Sequence, residues 1–316
     1  MKTLLKKCAL VFSLGCLIPQ VAYAQNLPLA ESVKAIPLFE VESYCEGVVF
    51  DHQGRGYISW KETVTQFELD GSNKEFAKTG APNGHKIMAD GTHLICDASQ
   101  HAVVRLSAEG KPLEPASIEC DGVPLRGPND LTLDPNGGFY FTDPGESSKE
   151  KPIGTVHYVD TAGKTHLTAS GLAFPNGIVL TLDGKRLLVG ESQLNRVLEY
   201  TVQSTGKVGA MRVFADLPKN TSGKLEDNQP DGMCLDANGN LYVAHYGMKQ
   251  VQVLDPQGKL IRQYPGGNRQ TSNVAFGGPK HDQLFVTGSI NADGKPGAVF
   301  RLDLGIAGRV ILPPKK

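Results

Sequence analysis

The sequence lacks a surplus of either charge and lacks clustered metal-binding thiols. Its 316 residues carry 32 Lys and Arg against 33 Asp and Glu, a formal net charge of −1. A chain without a basic surplus does not bind nucleic acid through bulk charge, so we expect no nucleic-acid partner. The six cysteines form no CxxC pair and no Cys/His cluster, which argues against a structural zinc site.

The sequence also lacks a long amphipathic helical pattern, an interdomain linker and a second apolar run beyond the N-terminal one. These absences argue against a helical bundle, a second domain and a membrane-spanning protein. Glycine and proline are frequent instead, at 36 and 20 residues, without the period of collagen. Such a composition predicts many turns and therefore many short strands.

The N-terminus has the three parts of a secretory signal peptide. Lys2, Lys6 and Lys7 precede an apolar run over residues 8–18, and Ala22-Tyr23-Ala24 provides small residues for cleavage. We therefore expect residues 1–24 to be removed and residues 25–316 to form one domain, periplasmic or secreted, with no membrane partner after cleavage. The alternative is a short membrane anchor, for which the apolar run is too short.

Cleavage would leave four cysteines in an oxidising compartment. Such a compartment permits disulfides, and four cysteines allow three complete pairings that the sequence cannot distinguish. Buried thiols in a large core are an equally good interpretation. The four residues are Cys45, Cys96, Cys120 and Cys234.

The sequence repeats one pattern six times, with units that begin at residues 46, 83, 129, 176, 231 and 272. In each unit a polar residue opens an apolar strand, a turn rich in Gly, Asp and Asn follows, and further strands come next. Units of three or four strands at this spacing are typical of β-propeller blades. We therefore predict an all-β, six-bladed β-propeller with a central metal site, with a pair of β-sandwiches as the alternative. A strand near residues 36–41 is expected to complete the last blade beside residues 299–302.

The residues that open the six units are all polar. In a propeller the first strand of each blade runs along the central channel, so these residues should meet near one mouth. Two neighbouring carboxylates there would repel each other unless a cation lay between them. Oxygen donors favour Ca²⁺, then Mg²⁺ and Mn²⁺, with Zn²⁺ and Fe²⁺ as further alternatives. Strand capping by each residue is the non-functional interpretation. The openers are Glu46, Asn83, Asn129, Asn176, Asp231, and Ser272 or Asn273.

A second set of candidates follows from the same hairpin geometry. The second strand of each blade returns to the same mouth, so its last residue should belong to an outer ring around the openers. Two members of this ring, Asp143 and His245, are candidate substrate-binding residues. The whole outer ring is Trp60, Asp97, Asp143, Glu191, His245 and Ser289.

Four segments together resemble the signature of the senescence-marker-protein/gluconolactonase/luciferin-regenerating-enzyme family. They are Glu46-Gly47, Arg126-Gly127-Pro128-Asn129-Asp130, Phe174-Pro175-Asn176-Gly177 and Pro230-Asp231-Gly232. The resemblance implies a six-bladed propeller with a catalytic divalent cation, usually calcium, and most members of the family are lactonases. A related member, diisopropyl-fluorophosphatase, is a phosphotriesterase.

The resemblance also assigns roles to individual residues. Glu46, Asn176 and Asp231 match metal ligands, and Asn129 matches a residue that binds metal or substrate. Asp231 further matches the catalytic base or nucleophile. Arg126, with Asn83, is a candidate for binding substrate, although Arg126 lies three residues before Asn129 whereas the mammalian lactonases carry their arginine two before.

Cys234 marks a second departure from the family pattern. It lies three residues after Asp231, where the phosphotriesterase has an acidic ligand for a second calcium ion. The sequence therefore does not predict that second site in the same form.

Together these features predict an exported calcium-dependent hydrolase. The expected activity is the opening of sugar-acid lactones of the gluconolactone type by metal-activated attack of water. The alternatives are an esterase or phosphotriesterase that uses the same metal site, and a non-catalytic binding propeller. The expected partner is a small lactone or ester, and the sequence makes no prediction about oligomeric state.

Overall fold

The computed structural model describes residues 27–310. The predicted signal peptide, residues 1–24, lies outside the described residues. Within residues 27–310 the fold is all-β, as expected, and every strand pairing is antiparallel. The helices of this range are three short 3₁₀ turns, and none of them is long and apolar enough to cross a bilayer. The turns are Ala30–Ser32, Ser192–Leu194 and Leu225–Asp227.

The strands form successive sheets along the chain. A first strand, β1 (Ile36–Val41), precedes them all. The first sheet contains β2 (Glu46–Phe50), β3 (Gly56–Trp60), β4 (Thr63–Phe67) and β5 (Asn73–Lys78). The second contains β6 (Pro82–Ile87), β7 (His93–Asp97), β8 (Ala102–Leu106) and β9 (Pro112–Ser117). A small hairpin of β10 (Glu119–Cys120) and β11 (Val123–Pro124) follows.

Two more separate four-stranded sheets come next. The third contains β12 (Leu131–Leu133), β13 (Phe139–Asp143), β14 (Gly154–Val159) and β15 (Thr165–Leu172). The fourth contains β16 (Pro175–Leu180), β17 (Arg186–Glu191), β18 (Arg196–Ser204) and β19 (Lys207–Asp216).

The last two sets of strands are joined by the pairing of Tyr246 with Gln270. The fifth set contains β20 (Gln229–Leu235), β21 (Leu241–Tyr246), β22 (Gln250–Leu254) and β23 (Leu260–Pro265). The sixth contains β24 (Gln270–Gly277), β25 (Gln283–Ser289) and β26 (Gly297–Asp303).

Strand β1 completes the sixth set. It lies antiparallel to β26, with Ile36 opposite Arg301 and Val41 opposite Gly297. The pairing predicted between residues 36–41 and residues 299–302 is therefore confirmed. The outermost strand of the last sheet thus comes from the other end of the described chain.

The hydrophobic core lies between neighbouring sheets. Val49 and Tyr57 of the first sheet, for example, pack in one buried cluster with Ile87 and Ile95 of the second. The first strands of the six sets contact one another in chain order, and β24 also contacts β2. We call these six strands (β2, β6, β12, β16, β20 and β24) the inner strands.

The inner strands approach one another closely at their opening residues. A Cβ atom on Gly47 would lie 2.0 Å from the carbonyl oxygen of Asn83, and one on Gly177 would lie 2.2 Å from that of Asp231. Only glycine fits such an approach, which explains why glycine follows four of the six openers. The pairing register is also irregular beside the opener in five inner strands. Bulges of this kind redirect side chains out of the regular alternation.

All four cysteines of the described residues are free and buried. The structure therefore has the thiols as core residues, which was one of the two interpretations of the sequence. Cys234, for instance, packs in an apolar cluster with Tyr242 and Phe276.

Candidate active site

A cavity of about 530 Å³ lies where the inner strands begin. Five of the six predicted openers line it, and the sixth position, Ser272 or Asn273, is buried beside it. Ser272 Oγ donates to the carbonyl oxygen of Cys45 at 2.6 Å, and Asn273 Nδ2 lies 3.4 Å from Glu46 Oε2. The residues that line the cavity are Tyr44, Glu46, Asn83, Asn129, Phe174, Asn176, Ser192, Gln229, Asp231, Tyr246, Gln270, Ala292, Asp293 and Gly294.

Two buried carboxylates lie close together in this cavity. The Tyr44 hydroxyl oxygen is 2.7 Å from Glu46 Oε1 and 3.3 Å from Asp231 Oδ2. Burial, followed by the charge of Asp130, raises the pKa of Glu46 to about 7. Burial and then the charge of Glu46 raise the pKa of Asp231 well above its usual range. Without a compensating charge, the two acids resist being ionised together.

Two asparagine side chains extend the set of oxygens. The Oδ1 atom of Asn129 is buried and has no hydrogen-bond partner within residues 27–310. The Asn176 side chain lies beside Asp231, where its amide partly offsets the raised pKa of that acid. The backbone carbonyl oxygen of Asn176 accepts a hydrogen bond from Thr142 Oγ1 at 2.8 Å, which leaves the side-chain oxygen out of that contact. A buried acceptor without a donor is costly unless a ligand satisfies it.

A buried ion pair lies next to these acids. Lys86 Nζ is 3.9 Å from Asp130 Oδ1, and both side chains are almost fully buried. Three ionised acids, Glu46, Asp130 and Asp231, and one ammonium, Lys86, would give a local charge of −2. That charge matches one divalent cation.

The donor set of Glu46, Asn129, Asn176 and Asp231 therefore fits a hard cation. It offers carboxylate and amide oxygens, which suit calcium better than zinc. Across residues 27–310, no three His, Cys, Asp or Glu side chains converge as a metal-binding group. Amide oxygens would have to complete the coordination.

Three other candidates from the sequence do not line this cavity. Arg126 and Asp143 line a separate cavity of about 310 Å³ near the β10–β11 hairpin. The Arg126 guanidinium donates to the carbonyl oxygen of Ile153. His245 is fully buried, with Nε2 2.9 Å from Asn195 Oδ1, and burial lowers its pKa to about 4. The structure therefore brings Asn83 to the cavity but not these three residues.

The acids of the predicted outer ring share a structural arrangement. The Asp143 carboxylate accepts hydrogen bonds from the backbone N–H groups of Arg126 and Gly127, at 3.0 Å and 2.7 Å. Asp97 accepts from Gly80 and Ala81 in the same way. In both cases the acid ends the second strand of a sheet and binds the backbone that leads into the inner strand. Glu191 accepts likewise from the backbone N–H of Ala173.

Sequence reasoning missed three aromatic residues of the cavity, Tyr44, Phe174 and Tyr246. Phe174 has a positive φ of 60°, which is unusual for a bulky residue. Its N–H donates to Ser147 Oγ at 2.9 Å, and its carbonyl oxygen accepts from the Ser192 N–H at 3.0 Å. Two hydrogen bonds thus hold this strained residue. The aromatic residues fall outside the opener pattern, and only the quoted Phe174-Pro175-Asn176-Gly177 segment included one of them.

Comparison with known proteins gives a consistent result. The SMP-30/Gluconolactonase/LRE-like region matches residues 45–290. The chain is 30% identical over 288 residues to lactonase drp35 of Staphylococcus saprophyticus, covering 85% of each protein. It is 30% identical over 194 residues to pentonolactonase XacC of Haloferax volcanii, covering 57% of this chain but only 64% of that relative.

Solved structures agree at the level of fold. A calcium-binding protein, regucalcin from Agrobacterium tumefaciens, superposes with a TM-score of 0.73 at 22% sequence identity. The superposition covers 90% of this chain and 97% of that one.

Proposed function

The chain belongs to the SMP-30/gluconolactonase/LRE-like family, and on that premise we propose that it is a calcium-dependent lactonase. The proposal rests on one observation above all. Glu46 and Asp231 are buried, line a common cavity and contact the same phenol, and Asn129, whose Oδ1 has no partner among the residues that the structure describes, lines that cavity too. Relatives named lactonase and pentonolactonase support the choice of reaction.

We further infer that the six sets of strands close into one six-bladed propeller. The support is the cyclic order of the inner-strand contacts, in which β24 also meets β2. In such a ring the cavity lies at one mouth of the central channel. Closure would explain why residues far apart in sequence, such as Glu46 and Asp231, share one site.

Glu46, Asn129, Asn176 and Asp231 would hold the cation. A calcium ion bound there would polarise the lactone carbonyl and stabilise negative charge on its oxygen. The calcium-binding regucalcin of similar fold supports calcium over Mg²⁺, Mn²⁺, Zn²⁺ or Fe²⁺, as does the all-oxygen donor set.

Asp231 is the group that moves a proton in this proposal. Its carboxylate accepts a proton from the water that attacks the lactone carbonyl carbon, and the same group returns that proton to the ring oxygen when the ring C–O bond breaks. Glu46, Asn129 and Asn176 would bind the cation and fix its position. Asn83 lies in the cavity wall, where it can hydrogen-bond a substrate hydroxyl. Tyr44, Phe174 and Tyr246 supply the aromatic part of the cavity wall.

The charge of the cavity wall supports an uncharged substrate. Glu46, Asp231 and Asp293 line the cavity, and no Lys, Arg or His is among its lining residues within 27–310. With Glu46 and Asp231 balanced by the bound cation, Asp293 remains as a negative charge of the cavity wall, and a substrate that carried a phosphate or carboxylate would find no cationic side chain among the lining residues to pair with. Neutral lactones of sugar acids meet this requirement.

A panel of substrates tests the proposal. Purified protein would be assayed with an uncharged aldonolactone, its phosphorylated counterpart, an aryl ester and a phosphotriester, each with calcium and with chelator. We expect calcium-dependent opening of the uncharged lactone. The kcat/KM for the phosphorylated lactone should be lower by at least about tenfold. Equal turnover with chelator would contradict the metal site. Preference for the phosphotriester or aryl ester would favour the alternative hydrolases, and no turnover at all would favour a binding protein.

We also propose that the protein is exported after cleavage behind Ala24, leaving residues 25–316 as one domain. The support is the basic, apolar and small-residue order of residues 1–24. N-terminal sequencing of the protein recovered from periplasmic and culture fractions tests this, and recovery of the uncleaved chain in the cytosol would overturn it.

A further inference from the structure

Tyr44 occupies a position in the cavity that no repeat pattern explains. It lies in the segment between β1 and β2, two residues before Glu46, and is half-buried. Its backbone N–H donates to the carbonyl oxygen of Gly294 at 2.7 Å, which ties the segment to a loop that also lines the cavity. The backbone therefore fixes where the phenol can reach.

The phenol makes unequal contacts with the two acids. Its oxygen is 2.7 Å from Glu46 Oε1 and 3.3 Å from Asp231 Oδ2. One hydroxyl has one proton to donate, and the shorter contact identifies Glu46 Oε1 as the acceptor.

The other Glu46 oxygen is held only weakly. Oε2 lies 3.4 Å from the backbone nitrogen of Gly47 and 3.4 Å from Asn273 Nδ2. Both distances are at the long end for a hydrogen bond, so little is lost when Oε2 binds something else. Glu46 thus has one oxygen engaged by Tyr44 and one available.

We propose that Tyr44 is a positioning residue of the metal site. Its hydroxyl fixes the Glu46 carboxylate through Oε1 and leaves Oε2 as the oxygen offered to the cation. Partners of this kind orient a ligand and typically change metal affinity 10–100-fold when they are lost. The inference rests on the proposed function, because Tyr44 can position a ligand only if the site binds a cation.

Tyr246 provides a matched control. It lines the same cavity, and its ring lies edge-on to Tyr44 with centroids 6.1 Å apart. Its hydroxyl is next to Gln270 and makes no hydrogen bond to Glu46 or Asp231 among the contacts of residues 27–310. A Tyr→Phe change at Tyr246 therefore removes a phenol from the same cavity without removing a contact to an acid.

The experiment measures calcium affinity of the metal-free full protein by titration calorimetry. We expect Tyr44→Phe to raise the Kd for calcium about 10–100-fold. Tyr246→Phe should leave the Kd close to that of wild type, because no hydrogen bond joins Tyr246 to Glu46 or Asp231 within residues 27–310. Thermal unfolding of both metal-free variants checks that each is folded.

A second arm separates positioning from general damage. In the Glu46→Gln background, Tyr44→Phe should cause little further loss of calcium affinity, because Tyr44 acts through Glu46. Equal losses in both backgrounds would overturn the proposal, as would wild-type calcium affinity in Tyr44→Phe, and in either case the proposed function would stand. A wild-type protein that binds no calcium would overturn the proposed function and this inference together.

Discussion

The inner acids Glu46 and Asp231 and the outer acids Asp97 and Asp143 are all buried, yet their surroundings differ. Each outer acid accepts two or more hydrogen bonds from backbone N–H groups of the segment that leads into the inner strand of its sheet. The inner acids share one phenol and a few amide contacts. Both pairs were expected near one mouth, but only the inner pair lines the cavity.

The pKa values of these four acids agree in part with the difference in their backbone hydrogen bonds. Burial alone would raise the pKa of Asp97, but the N–H groups of Ala81, Gln100 and Gly80 hold it below its usual range. Burial raises the pKa of Asp143 despite its backbone partners. Among the residues that the structure describes, the inner acids have one long backbone contact, from the Gly47 N–H to Glu46 Oε2 at 3.4 Å, and their pKa values are raised most clearly. Backbone partners make an acid part of the framework, whereas their absence leaves it free to serve a ligand at a cost in stability.

The largest expected effect comes from Asp231→Asn. The change removes the proposed base, so kcat for lactone opening should fall about 10²–10⁴-fold. The metal-free variant should be at least as stable as wild type, because a poorly compensated buried acid is replaced by a neutral amide. Lactone assays and urea unfolding check both parts. Near-normal turnover would remove Asp231 from the mechanism.

The raised pKa of a buried inner acid should be measurable as a loss of stability when the pH rises. The pKa of Glu46 is about 7 in the folded protein, against 4.5 ordinarily. Between these two pH values the folded protein therefore binds more protons than the unfolded protein does. Metal-free wild type should therefore lose stability as pH rises from about 4.5 to about 7, on the order of 3 kcal/mol. Urea unfolding at a series of pH values measures this, with Glu46→Gln as the control.

Two outcomes sharpen that measurement. Glu46→Gln should lose the part of the decline that comes from Glu46 and keep the part that comes from Asp231, whose pKa burial also raises. Saturating calcium should abolish the decline in wild type. A decline of the same size in Glu46→Gln would assign it to other groups.

For the outer acid Asp97 we expect a smaller effect, on stability rather than on activity. Asp97→Asn weakens charge-assisted hydrogen bonds to backbone N–H groups and should cost about 1–3 kcal/mol of unfolding free energy. Calcium affinity and kcat should stay close to wild type, since Asp97 does not line the cavity. A variant with normal stability but lost activity would show that Asp97 belongs to the site, and the proposed difference between inner and outer acids would be wrong.

The sequence was a good guide wherever the repeat carried the information. The sixfold repeat predicted the inner strands and their polar openers, and the sequence also predicted a strand near residues 36–41 that completes the last blade. Both depend on local rules of strand alternation and turn chemistry that act within a few residues.

The rest of the site depends on contacts that local rules do not encode. Asp143 and Asp97 turn back to backbone N–H groups, and this direction depends on where the preceding loop passes. Tyr44 reaches Glu46 because its backbone is tied to Gly294, some 250 residues further along the chain. Phe174 reaches the cavity through a positive φ that its residue type does not predict.

The pairing of β1 with β26 also bears on the order in which the molecule can fold during synthesis. Sheets one to five each consist of neighbouring strands joined by short hairpins, so each can form soon after it leaves the ribosome. The last sheet must wait until its outermost partner, made at the start of translation, returns to meet the newest strand. Pairing of β1 with β26 is therefore a late step, because it comes after the other strands of residues 27–310 have been made.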